Sequence, residues 1–337
     1  MATYNSGVFR AAAGTSDALV PEPLSAEIIQ ELPKASAALS LMRRTTLSAK
    51  TQRLPVLDVL PVAYWVSQST PGEDVGMKQT GSQAWKNVTL VVEELATILP
   101  IPEAYLDDAD VPIWNEVQPR MVEAAGNLID QAVLWGYGKP TTWGTDIYTA
   151  AVAAGNTVKD GYTDAAGTLA AADFGQSVAS LGDSMAQTGY TVNGFAARPG
   201  LNWRLIGLRS AQGIPIYEPD MQNAGGQASW NQPAQGALYG YPLRMIDNGS
   251  WDGTKAQVIA GDWSKAIIGI RQDISFKLFT EGVISNDSGG VVLNLMQQDA
   301  VAMRLVLRLA YSVANPVTIM QPNKSISSRF PFGLVAT

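Results

Sequence analysis

The stretch QQDAVAMRLVLRLAYSVANP, Gln297 to Pro316, constrains the fold more than any other part of the chain. Its odd positions, Val301, Met303, Leu305, Leu307, Leu309, Tyr311 and Val313, are all apolar, whereas the even ones run Ala302, Arg304, Val306, Arg308, Ala310, Ser312. Successive side chains of a strand point to opposite faces, so this alternation describes a long strand with one wholly apolar face. Composition pulls the other way. Ala, Met, Leu and Arg favour helix, and Arg304, Arg308 and Ser312 recur every four residues like one polar helical stripe. That stripe leaves Val306 and Leu307 unexplained, while the alternation leaves nothing over, so the periodicity predicts a strand.

A chain of 337 residues with 46% hydrophobic content has apolar material for one large or two ordinary domains. It contains no cysteine and no histidine. Disulfides and thiolate metal sites are thereby excluded, and the commonest general base and metal ligand is missing. Carboxylate pairs, Ser-Lys dyads and Thr nucleophiles remain chemically open. A net charge of −7, with 16% charged residues and no basic run, argues against a surface that grips nucleic-acid phosphates. The start MATYNSGVFRAAAG has no secretory pattern and no apolar run is long enough to span a bilayer, so a soluble, intracellularly made protein is expected. Nine tryptophans, eleven tyrosines and 31 glycines on so few charges are unusual for a soluble monomer. The inference is that much of the apparent surface is buried against other copies.

Residues 1–50 read as an extended arm with one short helix, whose face is Leu24, Ile28, Ile29 and Leu32, after a possible cap at Ser25 and before a stop at Pro33. Two β-branched, aromatic-rich runs follow, Arg53 to Gln68 and Ala84 to Pro102, flanking a glycine-rich tip at Gly72, Gly76 and Gly81. They predict a large hairpin whose Trp65, Trp85, Val91 and Val92 need cover, since an isolated hairpin is marginal in water. Next, Val117, Met121, Ala125, Leu128, Ala132 and Trp135 form one stripe of a long helix, and Glu116, Arg120, Glu123, Asn127 and Asp130 form another. Asp107, Asp108 and Asp110 are expected at its N-terminus and Gly136, Gly138 and Pro140 at its end. Pro119 either falls in the first turn or kinks the helix. Beyond Ala166, helices led by Phe174 and Leu201 alternate with strands at GYTVNGFAARP, IPIYEP, GYPLRMID and KAIIGIRQDISFKLF, around a loop from Met221 to Gly236.

Candidate chemistry is sparse. GYGKPTT (Gly136 to Thr142) superficially resembles a phosphate loop, but Val133 stands where the first glycine belongs and Pro140 follows Lys139, so helix termination is the better account. The Asp107, Asp108, Asp110 cluster lacks the glycine and distal glutamate of a calcium loop. Glu93, Glu94 and Glu103 offer carboxylates for glycoside chemistry, but on a hairpin arm they read as a solvated face.

The order of these parts resembles the tailed-bacteriophage major capsid protein family, the Hong Kong 97 type shell fold shared with encapsulins. ALVPEPLSAEIIQELPKASAALSL (Ala18 to Leu41) is similar to the family's arm, and AYWVSQSTPGED (Ala63 to Asp74) to its outgoing hairpin strand. VIAGDWSKAIIGIRQDISFKL, with Gly261, Asp262, Trp263 and Ser264, is similar to the family's Gly-Asp-aromatic-Ser turn and following strand, and the run with Arg304, Arg308 and Pro316 to its final long strand. The resemblance covers nearly the whole chain.

It implies an α+β fold divided into an N-terminal arm (1–50), a hairpin or E-loop (51–104), a P-domain formed by 105–165 with the spine helix and by return strands 273–337, and an A-domain (166–272). It implies a structural, non-enzymatic protein without cofactor or metal, assembled from many copies as pentamers and hexamers into an icosahedral virion shell around double-stranded DNA. A separate scaffolding protein and a portal are the implied partners, assembly in the host cytoplasm the implied setting, and a membrane has no part. Trp65, Glu73, Asp74, Lys78, Trp85, Arg304 and Arg308 are the candidate inter-subunit residues, with carboxylates of the helix or of a neighbouring subunit as partners for the two arginines. The family's covalent cross-link is expected to be absent: its Asn and Glu positions fall on Asp299 and Val306, even though Lys78 sits in the hairpin tip. An encapsulin-like compartment shell and a carboxylate-based hydrolase stand as alternatives.

Overall fold

A computed structural model describes residues 36–61, 63, 80–108, 112–160, 174–206, 235–286, 288–322, 325 and 329–337. In chain order these form α1 (Ala37–Leu41), β1 (Arg43–Thr46), β2 (Thr51–Val59), β3 (Ala84–Val91), β4 (Glu93–Pro102), α2 (Glu103–Asp108), α3 (Ile113–Trp135), α4 (Ile147–Ala154) and β5 (Thr157–Lys159). They continue with α5 (Phe174–Gln187), β6 (Gly194–Ala197), α6 (Leu201–Ile206), β7 (Gln235–Leu238), β8 (Tyr241–Met245), β9 (Ala256–Gly261), β10 (Ala266–Phe279), β11 (Val283–Ser285), β12 (Val291–Asn294), β13 (Ala300–Val313) and β14 (Phe332–Ala336). The expected arm helix around Leu24–Leu32 and the expected strand IPIYEP lie outside the described residues.

The opening stretch is a strand. β13 runs antiparallel between β10 and β4 in a four-stranded sheet of order β1-β10-β13-β4. Its odd face is the core: Met303 and Leu305 pack with Met121 and Ala125 of α3, and Leu307, Leu309 and Tyr311 join the core around the helix's C-terminal half. The even face is covered in part: Ala310 meets Leu47, Leu90 and Val92, and Ala302 meets Leu295, while Arg308 is exposed. A strand with one face wholly in the core holds its register strongly, since a one-residue slip would push the arginines into that core.

α3 follows its expected pattern with two corrections. Leu128 is 43% exposed, and Asp130, assigned by pattern to the polar stripe, is completely buried. The buried arc is rotated because α1 docks on that side: a Cβ at Gly126 would stand 3.2 Å from the Ser36 nitrogen. Pro119 lies inside the helix, beyond the first turn. Asp107 and Asp108 do not cap α3; they end α2, and Pro112 holds the N-cap position without a side-chain hydrogen bond. Asp110 lies outside the described residues. The predicted stop is present, with Gly136 at φ 78° and its N–H returning to Ala132 O, the left-handed termination glycine permits.

The run Ala84–Pro102 is two strands, not one hairpin arm. β3 pairs with β2 in the hairpin, then the chain crosses at Val92 and continues as β4 alongside β13. Val92 is therefore buried within its own subunit, where the sequence suggested exposure. The crossing is fixed by its N–H bond to Lys50 O and by Trp143 Nε1 donating to Val91 O at 3.1 Å.

Six further strands build a mixed sheet of order β5-β14-β9-β6-β8-β7, and β11 pairs with β12 in a separate two-stranded sheet. α5 lies against β14 so closely that a Cβ at Gly333 would stand 2.7 Å from Leu181 Cδ1. Phe174, Val178, Leu181 and Met185 of α5, with Leu201 and Leu205 of α6, form the core of this lobe. Trp135, Ile259, Phe332 and Tyr311 belong to one cluster, so the end of α3 joins the lobe to the spine sheet.

Candidate assembly surfaces

The hairpin root is anchored by polar contacts. Arg329, almost fully buried, donates to Asp58 Oδ1 at 2.6 Å, Val317 N–H bonds Leu57 O, and Thr142 Oγ1 donates to Glu93 Oε1 at 2.7 Å. Beyond the root, Trp85 stands on β3 opposite Leu57 and is 64% exposed. It leaves a large apolar ring in water on a two-stranded sheet. Trp65, Glu73, Asp74 and Lys78 lie outside the described residues.

Arg304 and Arg308 share the even face of β13 but have different surroundings. Arg308 faces Glu94 across the ladder and donates from Nε to Glu94 Oε2 at 2.8 Å. The partner expected on the helix or a neighbouring subunit is thus an adjacent strand of the same sheet. Arg304 faces Ile98 and Lys277 and lays its guanidinium over the Phe279 ring, 4.9 Å from the centroid. That contact is a cation–π interaction and not a carboxylate pair. Beside Arg308, a surface cavity of about 280 Å³ is lined by Lys50, Val92, Glu93, Glu94 and Arg271. Glu93 and Glu94 are engaged with Thr142 and Arg308, and so do not converge as a catalytic carboxylate pair.

Further apolar side chains are exposed in several elements. Val291, Val292 and Met296 stand around β12, and Tyr239 and Tyr241 at the β7–β8 turn, with Trp203 on α6. Among the described residues no group of His, Cys, Asp or Glu is arranged to hold a metal ion, and no helix is long and apolar enough to cross a membrane.

Sequence reasoning missed Asp130. It accepts hydrogen bonds from Ser36, Ala37, Ala38 and Asn248. Burial raises its carboxyl above the ordinary value, opposed by those donors. No local signal marks it, because the donors lie 92 to 118 positions away.

The decisive comparison is with the phage capsid family, whose model matches residues 17–322. The chain belongs to the phage capsid family. The major capsid protein of Staphylococcus phage 80alpha is 21% identical to it over 301 residues, covering 89% of this chain and 83% of the relative. A solved structure from Microbacterium phage Oxtober96 is 35% identical with a TM-score of 0.76, covering 94% of this chain and 95% of that one. Another, from Mycobacterium phage Adephagia, is 28% identical with a TM-score of 0.79, covering 99% and 98%. The α+β fold is accordingly of the Hong Kong 97 capsid type. The capsid family member is a structural shell protein and not an enzyme, which removes the hydrolase alternative.

Proposed function

We propose that many copies of this chain assemble as pentamers and hexamers into the icosahedral head of a tailed bacteriophage, enclosing double-stranded DNA without sequence-specific contacts. The observation that carries the reading is the family match across residues 17–322, reinforced by a hairpin whose Trp85 is 64% exposed. In this reading residues 1–50 are the arm, the hairpin fills the 51–104 segment only as far as Val92, β4 joins 105–165 and 273–337 in the P-domain, and 166–272 is the A-domain. Hairpin and arm lie across neighbouring subunits, and Trp65, Glu73, Asp74, Lys78, Trp85, Arg304 and Arg308 contribute to those contacts. A separate scaffolding protein and a portal take part in assembly, which proceeds in the host cytoplasm without cofactor or membrane.

Expression of the chain followed by sedimentation and negative-stain microscopy tests this. Capsomers or closed shells are expected, and a stable monomer at high concentration would overturn the proposal. Particles from infected cells should contain double-stranded DNA; particles that carry a protein cargo instead would favour a compartment shell.

A further inference from the structure

One turn of α3 holds two segments that are remote in sequence. Asp130 Oδ1 accepts from Ser36 Oγ at 2.6 Å and from the Ala38 N–H at 2.9 Å, and Oδ2 accepts from the Ala37 N–H at 2.8 Å and Asn248 Nδ2 at 2.6 Å. The residue is fully buried, and all four donors are uncharged. A carboxylate buried without a cation is unfavourable unless its oxygens are hydrogen-bonded. An apolar side chain would fill the space without that demand. What the carboxylate adds is a geometric requirement that several donors be present together.

The surroundings are built to the same end. Gly126, one turn earlier, leaves room for Ser36, and Ala37 and Ala38 are small and buried. On the other side Asn127 Nδ2 donates to Asn248 O at 3.0 Å, Asn248 Oδ1 accepts from Ser250 N and Oγ, and Trp135 Nε1 donates to Ser250 O at 3.0 Å. Asn127 to Trp135 thus grips the start of α1 on one side and the loop after β8 on the other.

We propose that Asp130 is a positioning residue for assembly: a shared clamp that fixes both the seat of the Ser36–Ala38 segment and the seat of the Asn248–Ser250 loop on α3, so that neither moves without loosening the other. If the segment at Ser36–Ala38 detaches, a buried carboxylate keeps only the Asn248 donor. If the loop shifts, the carboxylate loses that donor and holds the segment less well. The coupling is reciprocal, as any linkage between two sites on one group must be. Its bearing on assembly rests on the shell reading above.

Amide hydrogen exchange on the unassembled full chain tests the clamp separately from the shell. In Asn248→Ala, exchange at Ala38 is expected to accelerate about tenfold or more although the substitution lies on the loop, and in Ser36→Ala the same is expected at Ser250. A role confined to local packing would move only the substituted side, and acceleration confined to that side in both variants would overturn the proposal. Ser36→Ala, the milder change, keeps the test intact should Asn248→Ala fail to fold. Both variants are then carried into assembly, where misshapen or fewer particles are expected and wild-type particles from both would overturn the assembly role. Absence of particles from the unsubstituted chain would instead count against the shell reading, leaving the exchange result to stand on its own.

Discussion

Arg329 and Asp58, 271 positions apart, form an ion pair at the root of the hairpin, with the guanidinium side chain 2% exposed and the carboxylate side chain 31% exposed. The arginine also donates to Asp58 O, so one buried cation ties both the side chain and the backbone of β2 to the C-terminal segment. The partners are unequal in what they leave behind. Asp58→Ala strands a buried guanidinium, whereas Arg329→Met leaves a carboxylate that water reaches. Asp58→Ala is therefore expected to lose more stability, about 2 kcal/mol or more, and Arg329→Met less, values lying between the exposed-pair and buried-pair limits. Urea unfolding of the two variants measures this, and the reverse order would show that the pair is not the anchor.

Arg308 and Glu94 give the opposite expectation. Both side chains are nearly half exposed, so the pair contributes no more than about 1 kcal/mol. Arg308→Glu places two carboxylates opposite each other on neighbouring strands, a penalty of similar size. Its melting temperature should fall by only a few degrees while assembly is impaired, as read by sedimentation. Shells at wild-type yield from this variant would remove Arg308 from the contact surface.

Two glycines separate crowding from propensity. A Cβ on Gly261 would collide with the Phe332 ring and stand 2.6 Å from Pro331 O, a backbone atom that cannot swing aside. Gly182 lies within α5 with open space where its Cβ would be. Gly261→Ala should destabilise by about 3 kcal/mol or fail to fold, and Gly182→Ala should raise stability by up to about 1 kcal/mol. Thermal melts of both variants test the pair.

Tyr190 supplies a pH dependence. Its hydroxyl donates to Pro316 O at 2.7 Å, and burial pushes the phenol up to about 12, with Arg329 pulling the other way. In the unfolded chain the group ionises near 10. Between these values the folded state holds a proton that the unfolded state has released, so the contribution is complete below pH 10 and lost as pH rises towards 12. The stability advantage of the wild type over Tyr190→Phe should therefore shrink across that interval and not below it. Urea midpoints of both proteins from pH 8 to 12 measure the difference.

The legible parts of this fold were those written in consecutive residues. β13 declared itself because its odd positions repeat without interruption, and the end of α3 because Gly136 adopts a conformation that other residues resist. The change of sheet at Val92 was hidden, since β3 and β4 are both β-rich and a crossing between sheets leaves the period of two undisturbed. Arg308 could be placed on a face but not given its partner, because which strand lies alongside is a property of topology and not of spacing. Asp130 was misassigned for a related reason: an acidic residue at helical spacing reads as solvated until remote donors are brought to it.

The order of strands in the lobe has a consequence for how the protein is made. β14 lies between β5 and β9, inside a sheet whose other members are all translated earlier. On the ribosome those earlier strands face a gap that only Phe332–Ala336 fills, and the gap closes after this segment has left the exit tunnel. A chain cut short before Phe332 would thus be left with its lobe unfinished and β5 separated from β9.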